Sequence, residues 1–236
     1  MRNILTVTTI SYHDEAKVKA DIRPFMFTYT QEQAGFEISL KIEALTVRMI
    51  QTTELIKSLK RQRIALFEGV EILGDTPAKL LTKLHQLSSG TVIDEKGEYH
   101  IIDRSKAEYV RDYFKGRKIA VFYVFKSELA MLKEVFPNWT VSPEEFQTSP
   151  DKVFLGQFRS AREGVRLDTA DALVFFNLEF SYLSWEQARN RIQSRERTRE
   201  AAVYLVQSDC GIERHIYEAV CNKKDFTLSY YGKVGK

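Results

Sequence analysis

With 236 residues, 44% of them hydrophobic and 28% charged, the chain has the composition of a folded globular protein; collagen, coiled coil and global disorder are excluded. Thirty-five Lys and Arg against 32 Asp and Glu leave a net charge of +3, too close to neutrality to announce a nucleic-acid or membrane partner, so any basic surface must be local. The length suits one large domain, or one domain with a sizeable subdomain. Cys210 and Cys221 are too few for a disulfide framework and are expected as free thiols in a reducing, cytoplasmic setting. No window approaches the roughly 18 apolar residues of a spanning helix, so no membrane attachment is expected.

In chain order, ILTVTTISY precedes the acidic tetrad HDEA at His13–Ala16. That juxtaposition invites comparison with an acidic box that binds Mg²⁺ behind a strand. A helix start with early acidic residues is the more economical reading. From Asp14 to about Ser89 the rhythm is helical, with apolar residues at three and four spacing through FEISLKIEALTVRMIQTTELIKSLKRQRIALFEGV and TPAKLLTKLHQLSSG. Thr76 before Pro77 predicts a helix start, and Ser88-Ser89-Gly90 a stop. Residues 1–104 are therefore expected to form a helical subdomain, or an insertion preceding residues 105–236.

From about Ser105 the grammar changes. KIAVFYVF (118–125), KVFLGQF (152–158), ALVFFNL (172–178) and AAVYLV (201–206) are near-continuous runs of β-formers, as strands buried on both faces of a parallel sheet must be. SELAMLKEVF and the arginine-rich SWEQARNRIQSRERTRE lie between them as predicted helices. Strands separated by helices predict an α/β domain, a doubly wound parallel sheet with helices on both faces.

Two absences narrow the chemistry. A phosphate loop of the form G-x-x-x-x-G-K-[ST], whose backbone amides wrap a polyphosphate, is not in the sequence. The four histidines, His13, His85, His100 and His215, are scattered, so their spacing suggests neither a metal site nor a nucleophile–histidine pair. No metal ligand is expected.

The densest signal runs from Val153 to Lys224. An arginine set on a helix beside a parallel sheet is a place where planar, permanently charged donors can meet a polyphosphate. SAREGVRLDTADALVFFNLEFSYLSWEQARNRIQSRER resembles motifs V and VI of superfamily 2 helicases, above all the Swi/Snf-type double-stranded DNA translocases. Gly164, Leu167, Ala170 and Asp171 match the first motif; Gln187, Ala188 and Arg191 match the second. SKAEYVRDYFKGRKIAVFYVFKSELAML resembles the lysine-containing helix and motif IV strand of that family, and GIERHIYEAVCNKKDF its closing helix. IRPFMFTYTQEQ and LLTKLHQLSSG resemble the helical segments that precede its second lobe.

The resemblance implies the second, C-terminal RecA-like lobe of such a motor, of bacterial or phage type. In that family a first lobe, here in the same chain or another, holds ATP and Mg²⁺, and arginine fingers from motif VI reach the γ-phosphate. Arg191 stands at the first finger position. The second is usually three residues on, where this sequence has Ser194, with Arg195 one step further as the substitute catalytic arginine. Gly164, Gln187 and Asp168 are implied at the nucleotide or interlobe surface, and Lys106, Arg162, Arg166 and Ser127 at the DNA backbone, duplex rather than single-stranded. In motif V, Arg162 and Glu163 replace small glycines and Arg166 an asparagine, so charge would substitute for close backbone approach. Alone, the chain is expected to hold no cofactor and to hydrolyse no ATP.

Blander readings accompany each residue. The arginines at 189 to 199, interleaved with glutamates, make a solvated helix face laced with i,i+4 pairs. Lys106 is a lone surface lysine, Ser127 and Glu128 stand at a strand end where this fold places ligand-facing groups but serve equally as helix caps, and Tyr182 and Trp185 are either core or partner-facing. At the level of the whole chain, the rival is a stand-alone, non-catalytic nucleic-acid-binding or regulatory module. A further rival is an unrelated α/β enzyme, disfavoured because no glycine-rich loop follows the first strand.

Overall fold

Parallel strands can be apolar along their whole length only where helices cover both faces, and alternate residues then feed two separate cores. The structure, a computed structural model, has this arrangement. It describes Lys17, Ala20, Asp21, residues 23–25 and residues 40–234 except 162, 163, 195, 196, 198, 199, 211 and 223–225. The chain divides into two units, Met1–Glu37 and Ile38–Lys236. In the first, the described turn is a 3₁₀ element at Arg23–Phe25; ILTVTTISY, HDEA and most of IRPFMFTYTQEQ lie outside the described residues.

The second unit begins with β1 (Leu40–Val47), α1 (Ile50–Gln62), the hairpin of β2 (Ile64–Phe67) and β3 (Val70–Leu73), and α2 (Pro77–Ser88). A second hairpin follows, β4 (Thr91–Ile93) with β5 (Tyr99–Ile101). The lobe continues through α3 (Ser105–Tyr113), β6 (Ile119–Tyr123), α4 (Lys126–Val135), β7 (Trp139–Thr140), α5 (Pro143–Thr148), β8 (Val153–Gln157) and α6 (Phe158–Ala161). It closes with β9 (Ala172–Phe175), α7 (Tyr182–Arg189), β10 (Ala201–Ser208), α8 (Ile212–Cys221) and α9 (Leu228–Val234). Six strands form one sheet in the order β1-β10-β9-β6-β8-β7, every pairing parallel. This is an α/β, RecA-like doubly wound sheet.

The pleat sorts the strand residues as expected. Ala120 and Phe122, Leu173 and Phe175, and Val203 and Leu205 join the core beneath α1, α2, α7 and α8. Val121, Val174, Tyr204 and Val206 join the opposite core with Val110 of α3 and Met131 of α4. Thr76 caps α2 as the sequence predicts, its hydroxyl accepting from Lys79 N at 3.2 Å with Pro77 in the first turn. Gly90 ends the segment at φ +91°, a conformation that glycine adopts without penalty. A Cβ there would sit 2.0 Å from the Asp103 carbonyl oxygen, because Gly90 O accepts from Ile102 N and Asp103 N.

Two expectations are corrected. The stretch FEISLKIEALTV, read as helical, holds an eight-residue strand that pairs residue for residue with β10 from Leu40↔Ala201 to Val47↔Ser208. Leu40, Ala44 and Val47 satisfy three-and-four spacing while Leu40, Ile42 and Ala44 alternate as in a strand, and the long-range pairing decides. For the same reason residues 40–104 are not a separate helical subdomain. Ile56, Leu59, Leu84 and Leu87 share one core with Phe122 and Phe175, so the break in the chain falls at 37/38 rather than 104/105. No described helix is long and apolar enough to cross a membrane.

Candidate functional site

The loop after α6 and the foot of α7 carry the residues singled out in the sequence. Ser181 opens α7, its hydroxyl accepting from Ser184 N at 3.3 Å. The helix stops at Arg189 and tightens into a 3₁₀ turn, Asn190–Ile192. The long arginine helix expected through residue 200 is therefore not formed among the described residues, and Arg191 sits in the 3₁₀ turn rather than on α7; Arg195, like Arg162, lies outside the described residues. Leu167 N donates to Arg191 O at 3.2 Å, which ties the 164–171 loop to this turn. Gly164 is exposed at φ +72° with open space around its Cα, a left-handed position suited to glycine.

The arginines differ in what they do. Arg189 pairs with Glu186 at 2.8 Å, and Arg159 pairs with Glu179. Arg166 reaches Asp168 through both Nε and Nη2, at 2.8 and 2.6 Å. Gln147 Nε2 adds a bond to the second Asp168 oxygen at 3.2 Å. Burial pushes the Asp168 carboxyl up, but its Arg166 and Gln147 contacts outweigh that and hold it below the usual range. Arg197 donates to four carbonyls, those of Asp168 (2.8 Å), Ala170 (2.9 Å), Glu200 (3.3 Å) and Ile192 (3.4 Å). Arg191 stands apart: among the described residues its half-buried guanidinium makes no ion pair, and its buried Nε has no hydrogen-bond partner. Gln187, one turn earlier on α7, is half-buried.

Two expected DNA contacts are corrected. Lys106 is 0% exposed; its ammonium is bound to Glu213, itself 2% exposed, and lies 4.8 Å from the centroid of the Phe176 ring. Glu213 spends its other oxygen on Ser208 N at 2.7 Å. Burial pushes the Glu213 carboxyl up, and Lys106 and Ser208 oppose that shift. Ser127 is equally buried and shares a hydrogen bond with Thr91 Oγ1 at 2.9 Å. Neither side chain reaches the surface, so neither can meet a DNA phosphate. Trp185 is core as well, packed at 4.8 Å against Phe175.

A second polar cluster, of which the sequence pointed to Glu128 but not to His85 or Asn177, fills the crevice at the carboxyl ends of β6 and β9, where the strand order reverses and α/β sheets place ligands. Glu128 accepts from Val124 N (2.7 Å) and Phe125 N (3.0 Å) through one oxygen, the helix-cap role considered for it, and from Asn177 Nδ2 (2.5 Å) through the other. Asn177 must then present its oxygen to Leu178 N (2.8 Å) and to His85 Nε2 (2.6 Å), so the neutral imidazole carries its proton on Nε2. Burial, and to a lesser degree Lys106, lowers the His85 pKa to about 4, against the lifting effect of Asn177. His85, Phe125 and Phe180 line a cleft of about 240 Å³ here. Because His85 and Asn177 are 92 positions apart, no local spacing announces the pair.

Among the described residues, one trio has metal-ligand atoms close together: those of Asp94, Glu98 and His100 lie within 4.8 Å of one another, a proximity the scattered histidine positions did not suggest. The Asp94 carboxylate already accepts from Lys96 N, Glu98 N and His100 Nε2, which makes it the turn of the β4–β5 hairpin.

No known protein family matches the sequence, and no curated protein matches it. Among solved structures, the chain is similar to one described as the crystal structure of the C-terminal part of the Fun30 ATPase domain. That likeness has 18% identity and a TM-score of 0.44, over 54% of this chain and 47% of that one. The chain thus matches less than half of that structure's length, and a likeness this weak carries no argument about function. The RecA-like fold rests on the strand order itself.

Proposed function

We propose that the chain is the second, C-terminal lobe of a superfamily 2 DNA helicase or translocase of Swi/Snf type. In this reading Arg191 reaches a triphosphate and Mg²⁺ held by an N-terminal RecA-like lobe, and the exposed 164–166 loop meets the backbone of duplex DNA. One observation carries the reading. In the arginine-rich stretch from 159 to 197, the other described guanidiniums are neutralised by carboxylates or spent on carbonyls, while Arg191 has no such partner among the described residues. An uncommitted guanidinium on a fixed turn can stabilise charge spreading over a γ-phosphoryl group, an effect on the order of 10³ to 10⁵ in rate.

The closed Arg166–Asp168 pair favours a different reading, a stand-alone module that keeps the lobe's fold without its chemistry. One assay separates the two: DNA-stimulated ATPase of the chain mixed with a RecA-like first lobe of the same family. The motor reading expects no turnover by the chain alone, turnover in the mixture, and a loss on the order of 10³-fold in Arg191→Ala. A mixture no more active than the first lobe alone rejects it.

A further inference from the structure

On the sheet face opposite α7, α3 presents an aromatic pair, the half-buried Tyr109 and the exposed Tyr113. Tyr109 and Tyr113, one turn apart, stack with ring centroids 5.6 Å apart and planes inclined by 22°. Tyr113 is 44% exposed, whereas the next residue, Phe114, is buried and meets it edge-on at 4.8 Å. Phe114 is also part of the wall of a cleft of about 350 Å³ at the amino ends of β6 and β8. That cleft is lined by Arg111, Lys115, Arg117 and Lys118 against a single carboxylate, Asp151. Its lining therefore holds as much net positive charge as the whole chain, +3, and the remaining residues sum to neutrality. Asp112 pairs with Arg111 at the rim, and Asn138 Nδ2 occupies Asp151 at 2.6 Å. Arg117 is held in place, its guanidinium carbon 5.1 Å from the Phe114 ring centroid and 5.4 Å from that of Tyr204.

We propose that this surface binds a single nucleic-acid strand, with a base stacked on Tyr113 and its phosphates in the adjoining cationic cleft. An exposed aromatic residue beside a cluster of cations is what an unpaired strand can use: every base offers a π-face, and every linkage a charge. A duplex does not fit, because its bases are already stacked and only their edges remain open. The site shares no residue with the Arg191 turn and requires no ATP, so it stands or falls apart from the function proposed above.

The test is fluorescence anisotropy of labelled oligothymidylate and oligouridylate with the full chain across a salt series. Tyr113→Ala is expected to weaken binding about tenfold, and Tyr113→Phe to retain it. Lys115→Ala, at an exposed position that leaves folding intact, is expected to reduce the slope of log affinity against log salt by about 0.7. The two oligonucleotides together report whether the strand is read as DNA or RNA. Wild-type affinity in both Tyr113→Ala and Lys115→Ala overturns the proposal, as does equal competition by a duplex of the same length, or no binding by the wild type.

Discussion

Between pH 6.5 and about 4, His85 stays neutral in the folded protein while it becomes charged in the unfolded chain, and stability should therefore depend on pH in a calculable way. Burial lowers its pKa from 6.5 to about 4. As pH falls through this window, the unfolded chain takes up a proton that the folded one refuses, so stability is complete above 6.5 and is lost on the way down to about 4. At 1.36 kcal/mol per pH unit, the loss approaches 3 kcal/mol. The perturbation is His85→Phe. The ring lies 5.1 Å from Phe125 and 4.8 Å from Phe180, an environment that accepts another aromatic, and Asn177 Oδ1 keeps Leu178 N as its donor. Urea unfolding followed by Trp139 and Trp185 fluorescence, repeated from neutral pH to about 4, gives the two stability curves. The difference between wild type and variant should shift by about 3 kcal/mol in favour of the variant as pH falls. Exposed carboxylates with lowered pKa, such as Asp75 and Asp112, destabilise both proteins alike in acid and cancel in that difference. Parallel curves would refute the reasoning and mean that His85 titrates as a solvated imidazole.

Three other substitutions probe the scaffold. Lys106→Met leaves Glu213 as a buried, unpaired carboxylate and should cost about 3 to 5 kcal/mol in urea unfolding, with much of the loss recovered when Glu213→Leu is added. The same variant should keep wild-type DNA affinity at a temperature where it is folded, because Lys106 is sealed from solvent. Gly90→Ala drives a Cβ into the Asp103 carbonyl at a positive φ, and a lowered Tm corresponding to about 3 kcal/mol or more is expected. Arg197→Lys keeps the charge but loses the planar fork that serves four carbonyls. A cost of about 2 kcal/mol in urea unfolding is expected, together with faster amide exchange at Leu167.

How much of this could be read from the sequence follows from how local each determinant is. The strands at 119–123, 153–157, 172–175 and 201–208 were legible because burial on both faces leaves an unbroken apolar run, and the Thr76-Pro77 start because a cap is a contact three residues long. Leu40–Val47 was not, because its pattern fits either period and its partner, β10, lies about 160 residues away. Lys106 looked like surface for the same reason: what neutralises it is Glu213, 107 positions on. The arginine segment has the composition of a helix throughout. Its helix nevertheless ends at Arg189, and beyond it the carbonyls of Asp168 and Ala170 engage the guanidinium of Arg197, a contact no helical period reveals.

That contact bears on how Arg191 is held. The turn carrying it has one main-chain tie to the preceding loop, from Leu167 N to Arg191 O. Arg197 supplies a second, one nitrogen donating to carbonyls on both sides of the gap, at Asp168 and Ile192. Arg166 and Gln147 then fasten Asp168 from the outer side. The loop from 164 to 171 and the turn from 190 to 192 are thus tied at two points, and a displacement of one must be taken up by the other. A guanidinium mounted there has its backbone position fixed while its own side chain stays uncommitted, the combination that preorganised charge stabilisation requires.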